Sequence, residues 1–249
     1  MKKYTLNENL SIKVNGITLY KIEYCAYKFL RGGYLESEDN LSQEGSCMVL
    51  DEAKVYGQAK IYGQAIIYGE AEVFGEARIY GEAQVYNQVK IFEHAEVYGE
   101  ARIYGQAKIF GHSEVYNQTR VSDEAEVYGQ AKIFGNAIIY GQAKVYDRIE
   151  VYGEAKVHGH ARISGQAEVY GQARISGHAE VSDQARIYGE VRIYGQAEVY
   201  DDAEIYDEAR IYGEAKVYNK AKICDQAEIL GLTRLFNNTH ISGKTKIAY

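Results

Sequence analysis

The stretch Val55-Tyr56-Gly57-Gln58-Ala59-Lys60-Ile61-Tyr62-Gly63-Gln64-Ala65-Ile66 states one rule twice. An aliphatic residue is followed by an aromatic, a glycine, a polar residue, an alanine and an outward polar or charged residue. Extended in both directions, the rule holds for 33 complete six-residue units between Val49 and Ile247, with no insertion or deletion. Numbering the aliphatic residue as position one, the apolar or small residues fall at odd positions and the polar or aromatic ones at even positions. That alternation has the period of a β-strand and excludes a helix. A strand of such length buries nothing against itself, so the chain must turn at a fixed interval. Position three is where it turns: 21 units carry Gly there, 11 carry Asn or Asp, and only Glu93 departs. These residue types tolerate a left-handed backbone, so the pattern reports corner geometry rather than side-chain chemistry. Short strands joined by corners bury their apolar edge only by stacking coil on coil, which makes the fold an all-β parallel solenoid.

Aliphatic residues at position one and small residues at position five resemble the left-handed parallel β-helix of hexapeptide-repeat proteins. The resemblance covers residues 49–249 and implies three units per triangular coil, hence about 11 coils at ~4.8 Å each. That superfamily usually places its small corner residue at position two, whereas this chain has Tyr there and Gly one residue later. Residues 1–48 read as an N-terminal cap. Ser11-Ile12-Lys13-Val14-Asn15-Gly16-Ile17-Thr18-Leu19-Tyr20 is a hairpin about an Asn-Gly turn, and Leu35, Leu41 and Cys47, six residues apart, mark an irregular first coil. The cap segment from Gly32 to Gly45 is similar to that of bacterial and phage hexapeptide-repeat proteins labelled as acyltransferases.

With eighteen residues per coil, outward side chains form vertical ladders. One face collects Arg102, Arg120, Lys156, Arg174, Arg192 and Arg210, with Glu100, Glu154, Glu190 and Glu208 placed to neutralise four of these cations. These cations are candidate binding residues for an anion. Tyr62, Tyr80, Tyr98, Tyr116, Phe134, Tyr152, Tyr170, Tyr188 and Tyr206 form an aromatic column expected to stack and to cover the glycine corners. His94 and His112 are a coil apart, as are His160 and His178. Around the second pair the aromatic position lapses into His158, Ser164, Ser176 and Ser182, a polar patch. The superfamily resemblance implies a histidine general base, so His158, His160 and His178 are the candidate catalytic residues, with acyl-CoA as cofactor under that reading alone.

No metal site is expected: the stacked histidines lack a third ligand, and Cys25, Cys47 and Cys224 have no CxxC spacing. The odd cysteine count fits a reducing compartment, and the N-terminus lacks a signal peptide's apolar core, so a cytoplasmic protein is expected. A net charge of −7 with interspersed signs argues against generic binding to nucleic acid or anionic membrane. No stretch reaches the apolar length of a membrane span. The loop insertion and terminal helix that hexapeptide acyltransferases commonly carry are missing, and so are GxSxG and Walker motifs. At the C-terminal end Leu230, Leu232 and Phe236 are outward and apolar, and with no helix after Ile247 they predict homo-oligomerisation. The leading expectation is a non-catalytic rigid solenoid that binds itself or another protein. The alternatives are a hexapeptide-repeat acyltransferase with its histidine base at an inter-subunit groove, and a phage or bacterial inhibitor of a host protein or nucleic-acid enzyme.

Overall fold

The computed structural model describes residues 2–249, which fall into two compact units, one ending at Asp123 and one spanning Glu124–Tyr249. In both, a two-residue strand recurs every six residues, formed by positions six and one of adjoining repeats. Successive strands belong in turn to three parallel sheets, so each unit is a three-sided parallel β-solenoid. In the first unit the three faces begin with the strands Lys54–Val55, Lys60–Ile61 and Ile66–Ile67; in the second, with Glu126–Val127, Lys132–Ile133 and Ile138–Ile139. We call these the first, second and third faces of each unit.

Register is eighteen residues per coil: Lys156 lies over Arg174 and Val157 over Ile175, then Arg174 over Arg192 and Ile175 over Ile193. Amides of even-numbered residues donate to carbonyls of the next coil, as in Lys156 N to Ala173 O at 2.8 Å and His158 N to Ile175 O at 2.9 Å. Inward positions one and five stack into the core, where Val157, Ile175, Ile193, Ala161, Ala179 and Ala197 are fully buried. Burying one Val or Ile contributes roughly 1.5–3 kcal/mol, several times an exposed ion pair at ~0.2–1 kcal/mol, so the aliphatic columns rather than the charged faces hold the coils. Where a hydroxyl replaces the core alanine it stays satisfied locally: Thr119 Oγ1 donates to Tyr116 O at 2.7 Å.

All 33 third-position residues, the eleven Asn and Asp and Glu93 included, have φ between 56° and 85°. The corner therefore does sit at position three. Its tightness shows at Gly165, φ 77°, where an added Cβ would lie 2.5 Å from Asp183 N. Acidic corner residues also tie one coil to the next: Asp147 Oδ2 accepts from Gly165 N at 3.1 Å and Glu93 Oε2 from Gly111 N at 2.8 Å.

In the first unit the chain starts as an antiparallel hairpin, β1 (Tyr4–Val14) and β2 (Ile17–Tyr24), turning through Asn15 and Gly16 with φ of 50° and 85°. It is longer than the stretch from Ser11 to Tyr20 that the Asn-Gly signal marks. β3 (Tyr34–Leu35) pairs antiparallel to β2 and parallel to Lys54–Val55, and so joins the cap to the solenoid. Leu35, Leu41 and Cys47 are all buried, as the six-residue spacing predicts. Their register is irregular: Leu35 pairs with Val55 and Leu41 with Ile61, twenty residues apart, and the eighteen-residue step begins at Met48. Cys47 consequently occupies a core-alanine position rather than an aliphatic one. A three-residue 3-10 helix, Glu38–Asn40, capped by Ser37, lies within this first turn. No helix among the described residues is long and apolar enough to cross a membrane.

Candidate functional site

Position two lies just before the corner, and its ring packs flat against the ring one coil away. In the first unit Tyr62, Tyr80, Tyr98 and Tyr116 stack at 4.7–4.8 Å. In the second, Phe134, Tyr152, Tyr170, Tyr188 and Tyr206 stack at 4.8–5.2 Å. The hydroxyls reach diagonally to position six of the next coil, sixteen residues ahead: Tyr80 Oη donates to Glu96 at 3.1 Å, and Tyr98 to Glu114 at 3.2 Å. Burial first, and then the adjacent carboxylate, pushes both phenols well above their ordinary range. The columns are thus regular, largely half-buried stacks, and in the first unit the hydroxyls of Tyr80 and Tyr98 are engaged.

Charges on the first and second faces pair along the ladders. Lys54 meets Glu72 at 3.1 Å, Arg78 meets Glu96 at 3.3 Å, Arg162 meets Glu180 at 2.8 Å, Lys216 meets Glu198 at 2.8 Å and Lys222 meets Glu204 at 2.9 Å. The third face differs. Arg102 registers with Arg120 in the first unit, and Lys156, Arg174, Arg192 and Arg210 register in sequence in the second. Arg210 pairs with Glu228 at 3.1 Å. Among the described residues Arg102, Arg120, Lys156, Arg174 and Arg192 have no carboxylate within ion-pairing distance. The expected neutralisation by Glu100, Glu154, Glu190 and Glu208 is therefore corrected. Position four sits in the turn, with the core residue at position five between it and the strand, so its side chain reaches its own ladder instead. Gln118 Nε2 donates to Glu100 at 3.2 Å, and Gln226 Nε2 to Glu208 at 3.2 Å.

The histidines separate. His158 stands in the aromatic column of the third face, stacked on Tyr140 at 4.6 Å, with Ser176 and Tyr194 taking the next two steps of the same column. Burial first, then the charges of Arg174 and Lys156, hold its imidazole below the ordinary 6.5. His160 and His178 stack on each other at 4.7 Å on the corner ladder and are exposed. His178 also edges an open depression of about 470 Å³ on the first face, with Arg162, Glu180, Gln196, Glu198, Glu214 and Lys216. Ser164 and Ser182 take the aromatic position of that first face, so the polar patch read from the sequence spans two faces rather than one.

Near the C-terminal end Leu232 is 65% exposed and Phe236 45%, while Leu230 is half-buried and registers with Ala248. Phe236 stacks on Tyr218 at 5.5 Å. One grouping went unmarked by sequence reasoning. Cys224, buried, brings its sulfur within 3.4 Å of His240 Nε2, and Sγ lies with an oxygen each of Asp207 and Asp225 inside a 4.8 Å span. The signal that locates it is the sixteen-residue diagonal that also joins Tyr80 to Glu96.

Comparison of the sequence with protein-family models finds no match, and comparison with curated proteins finds none either. The fold is the class the chain shows: a β-solenoid scaffold.

Proposed function

We propose that the chain is a non-catalytic scaffold whose third face binds an acidic protein surface. The observation that carries this reading is the unpaired column of Lys156, Arg174 and Arg192, set beside faces on which Arg162, Lys216 and Lys222 each meet a carboxylate. Like charges one coil apart repel, and elsewhere several cations meet that cost by pairing with a carboxylate on an adjacent coil, as Lys144 does with Glu126 and Arg162 with Glu180. Guanidinium forks stacked at coil spacing suit carboxylates bidentately. Beside them the aromatic column drops to Ser176 between His158 and Tyr194, a step into which a partner side chain fits against flanking rings. The net charge of −7 opposes long-range attraction of nucleic acid and turns the reading toward a protein with a local acidic patch.

The test compares the full chain with its Arg174→Glu/Arg192→Glu variant as bait in a native lysate. The wild type should retain an acidic protein stoichiometrically, release it as salt is raised, and lose at least roughly tenfold in affinity on charge reversal. Equal retention by the variant would sink the proposal. The exposed Leu232 and Phe236 support self-association as a second contact of the same scaffold. A second reading, acyl transfer with His158 as base, is favoured by its lowered pKa, since a neutral imidazole at neutral pH accepts a proton. Adding acetyl-CoA in a calorimeter separates the two readings: heat that disappears in His158→Tyr supports transfer, and no heat leaves the scaffold.

A further inference from the structure

On the third face of the second unit the aromatic column runs Tyr140, His158, Ser176, Tyr194 and Tyr212 at one-coil steps. Tyr140 stacks on His158 at 4.6 Å and Tyr194 on Tyr212 at 4.8 Å, so the column is complete on either side of Ser176. The backbone keeps its spacing through the lapse. His158 N donates to Ile175 O at 2.9 Å, Ser176 N to Ile193 O at 2.9 Å and Tyr194 N to Ile211 O at 3.0 Å. Two coil steps of ~4.8 Å therefore set the rings of His158 and Tyr194 roughly 9.6 Å apart, and a flat ring between them stands one ordinary stacking step from each. Tyr194 carries the mark of the missing neighbour. At 38% it is, with Tyr62 at 37%, the most exposed tyrosine of the columns, and Tyr62 opens its own column. Ser176 is half-buried, whereas Ser122, the third-face lapse of the first unit, is only 4% exposed and closed to a ligand.

Cations flank the gap. Arg174 precedes Ser176 by two residues on the same outward side, roughly 6.6 Å along an extended chain. Lys156 and Arg192 register with Arg174 one coil to either side. Three cations over two coil steps exceed what a single phosphate matches and suit several carboxylates. We propose that the Ser176 gap is a slot for an aromatic side chain of the bound protein, a Tyr or Phe flanked in its own chain by Asp or Glu. The ring stacks between His158 and Tyr194 while the neighbouring carboxylates meet Lys156, Arg174 and Arg192. This inference rests on the third-face reading and adds what the partner presents there. The slot supplies selectivity that charge alone does not, because an acidic surface without a ring leaves both flanking rings uncovered.

The test titrates the full chain with two blocked tripeptides, Glu-Tyr-Glu and Glu-Ala-Glu, followed by proton NMR of the peptide. The tyrosine ring protons should move upfield as the ring enters the stack, and Glu-Tyr-Glu should bind at least roughly fivefold more tightly than Glu-Ala-Glu. Ser176→Tyr puts the repeat's own ring in the gap. It should raise the urea midpoint, abolish the upfield shift and reduce Glu-Tyr-Glu to the affinity of Glu-Ala-Glu. Arg174→Glu/Arg192→Glu should weaken both peptides. Absence of the upfield shift at millimolar peptide, or unchanged Glu-Tyr-Glu binding by Ser176→Tyr, overturns the slot; if charge reversal still weakens both peptides, the third-face reading survives that failure. Charge reversal without effect overturns the third-face reading and this inference with it. Adenosine monophosphate binding more tightly than Glu-Tyr-Glu would assign the gap to a nucleotide and overturn the protein ring.

Discussion

His158 takes a place that the repeat otherwise gives to a phenol or phenyl ring, and its neighbours make it a pH sensor of known sign. Burial and the cations Arg174 and Lys156 hold the folded-state pKa below the ordinary 6.5, so the unfolded chain takes up the proton more readily than the folded one. The contribution to stability is therefore unchanged well above pH 6.5. It turns unfavourable as pH falls through that value and is fully lost below the folded-state pKa. Urea midpoints of wild type and His158→Tyr should diverge on going from pH 8 to pH 5, with the wild type losing more; parallel curves would refute the assignment. At this scale the sequence was legible where backbone geometry dictated residue type. Every Asn, Asp and Glu that replaces a corner glycine has positive φ. It was illegible where a side chain's role depends on a neighbour from another coil, as for the carboxylates expected beside the arginines.

The stacked column is the element that carries the most regular side-chain contact. Within the second unit Phe134 opens one such column, and further along it Tyr170 lies between Tyr152 at 4.8 Å and Tyr188 at 5.1 Å. An aromatic pair contributes ~0.5–1.5 kcal/mol beyond its buried area, so Tyr170→Ser, which removes two stacks, should cost about 1–3 kcal/mol from this source. The repeat already accepts Ser at this position in Ser164, Ser176 and Ser182, so the backbone tolerates the change. Chemical denaturation measures the loss; a midpoint within error of wild type would show that the rings are decoration rather than glue. The columns could be anticipated from an eighteen-residue period alone. The diagonal to position six could not, because it depends on the ring's lean across the face, which only coordinates reveal.

Across the molecule, stability follows from contacts between neighbouring coils, so protection should track local burial rather than a single global value. Inward residues from Ala185 to Ile229 are almost without exposure, while Leu235, Ile241 and Ile247 are half-buried. Hydrogen exchange should accordingly be slowest in the coils between Arg186 and Val217 and fastest between Arg234 and Ala248. Uniform protection over both segments would contradict a nearest-neighbour account. The irregular first turn, with its twenty-residue register at Leu35 and Leu41, belongs to this scale as well. Its six-residue spacing was visible, but the two extra residues that shift Cys47 to a core-alanine position were not.

Residue order, taken alone, dictates the period, the strand and the corner, while three units per coil were what the resemblance to the left-handed β-helix implied. The first three follow from local backbone preference and from which side chains must leave water. The folded chain was needed to settle which charges pair, which face keeps its cations unpaired, that His158 parts from His160 and His178, and that Cys224 meets His240. Those outcomes turn on separations of a few ångströms between residues sixteen to eighteen apart, and a repeating pattern fixes such neighbours only once the coil has closed.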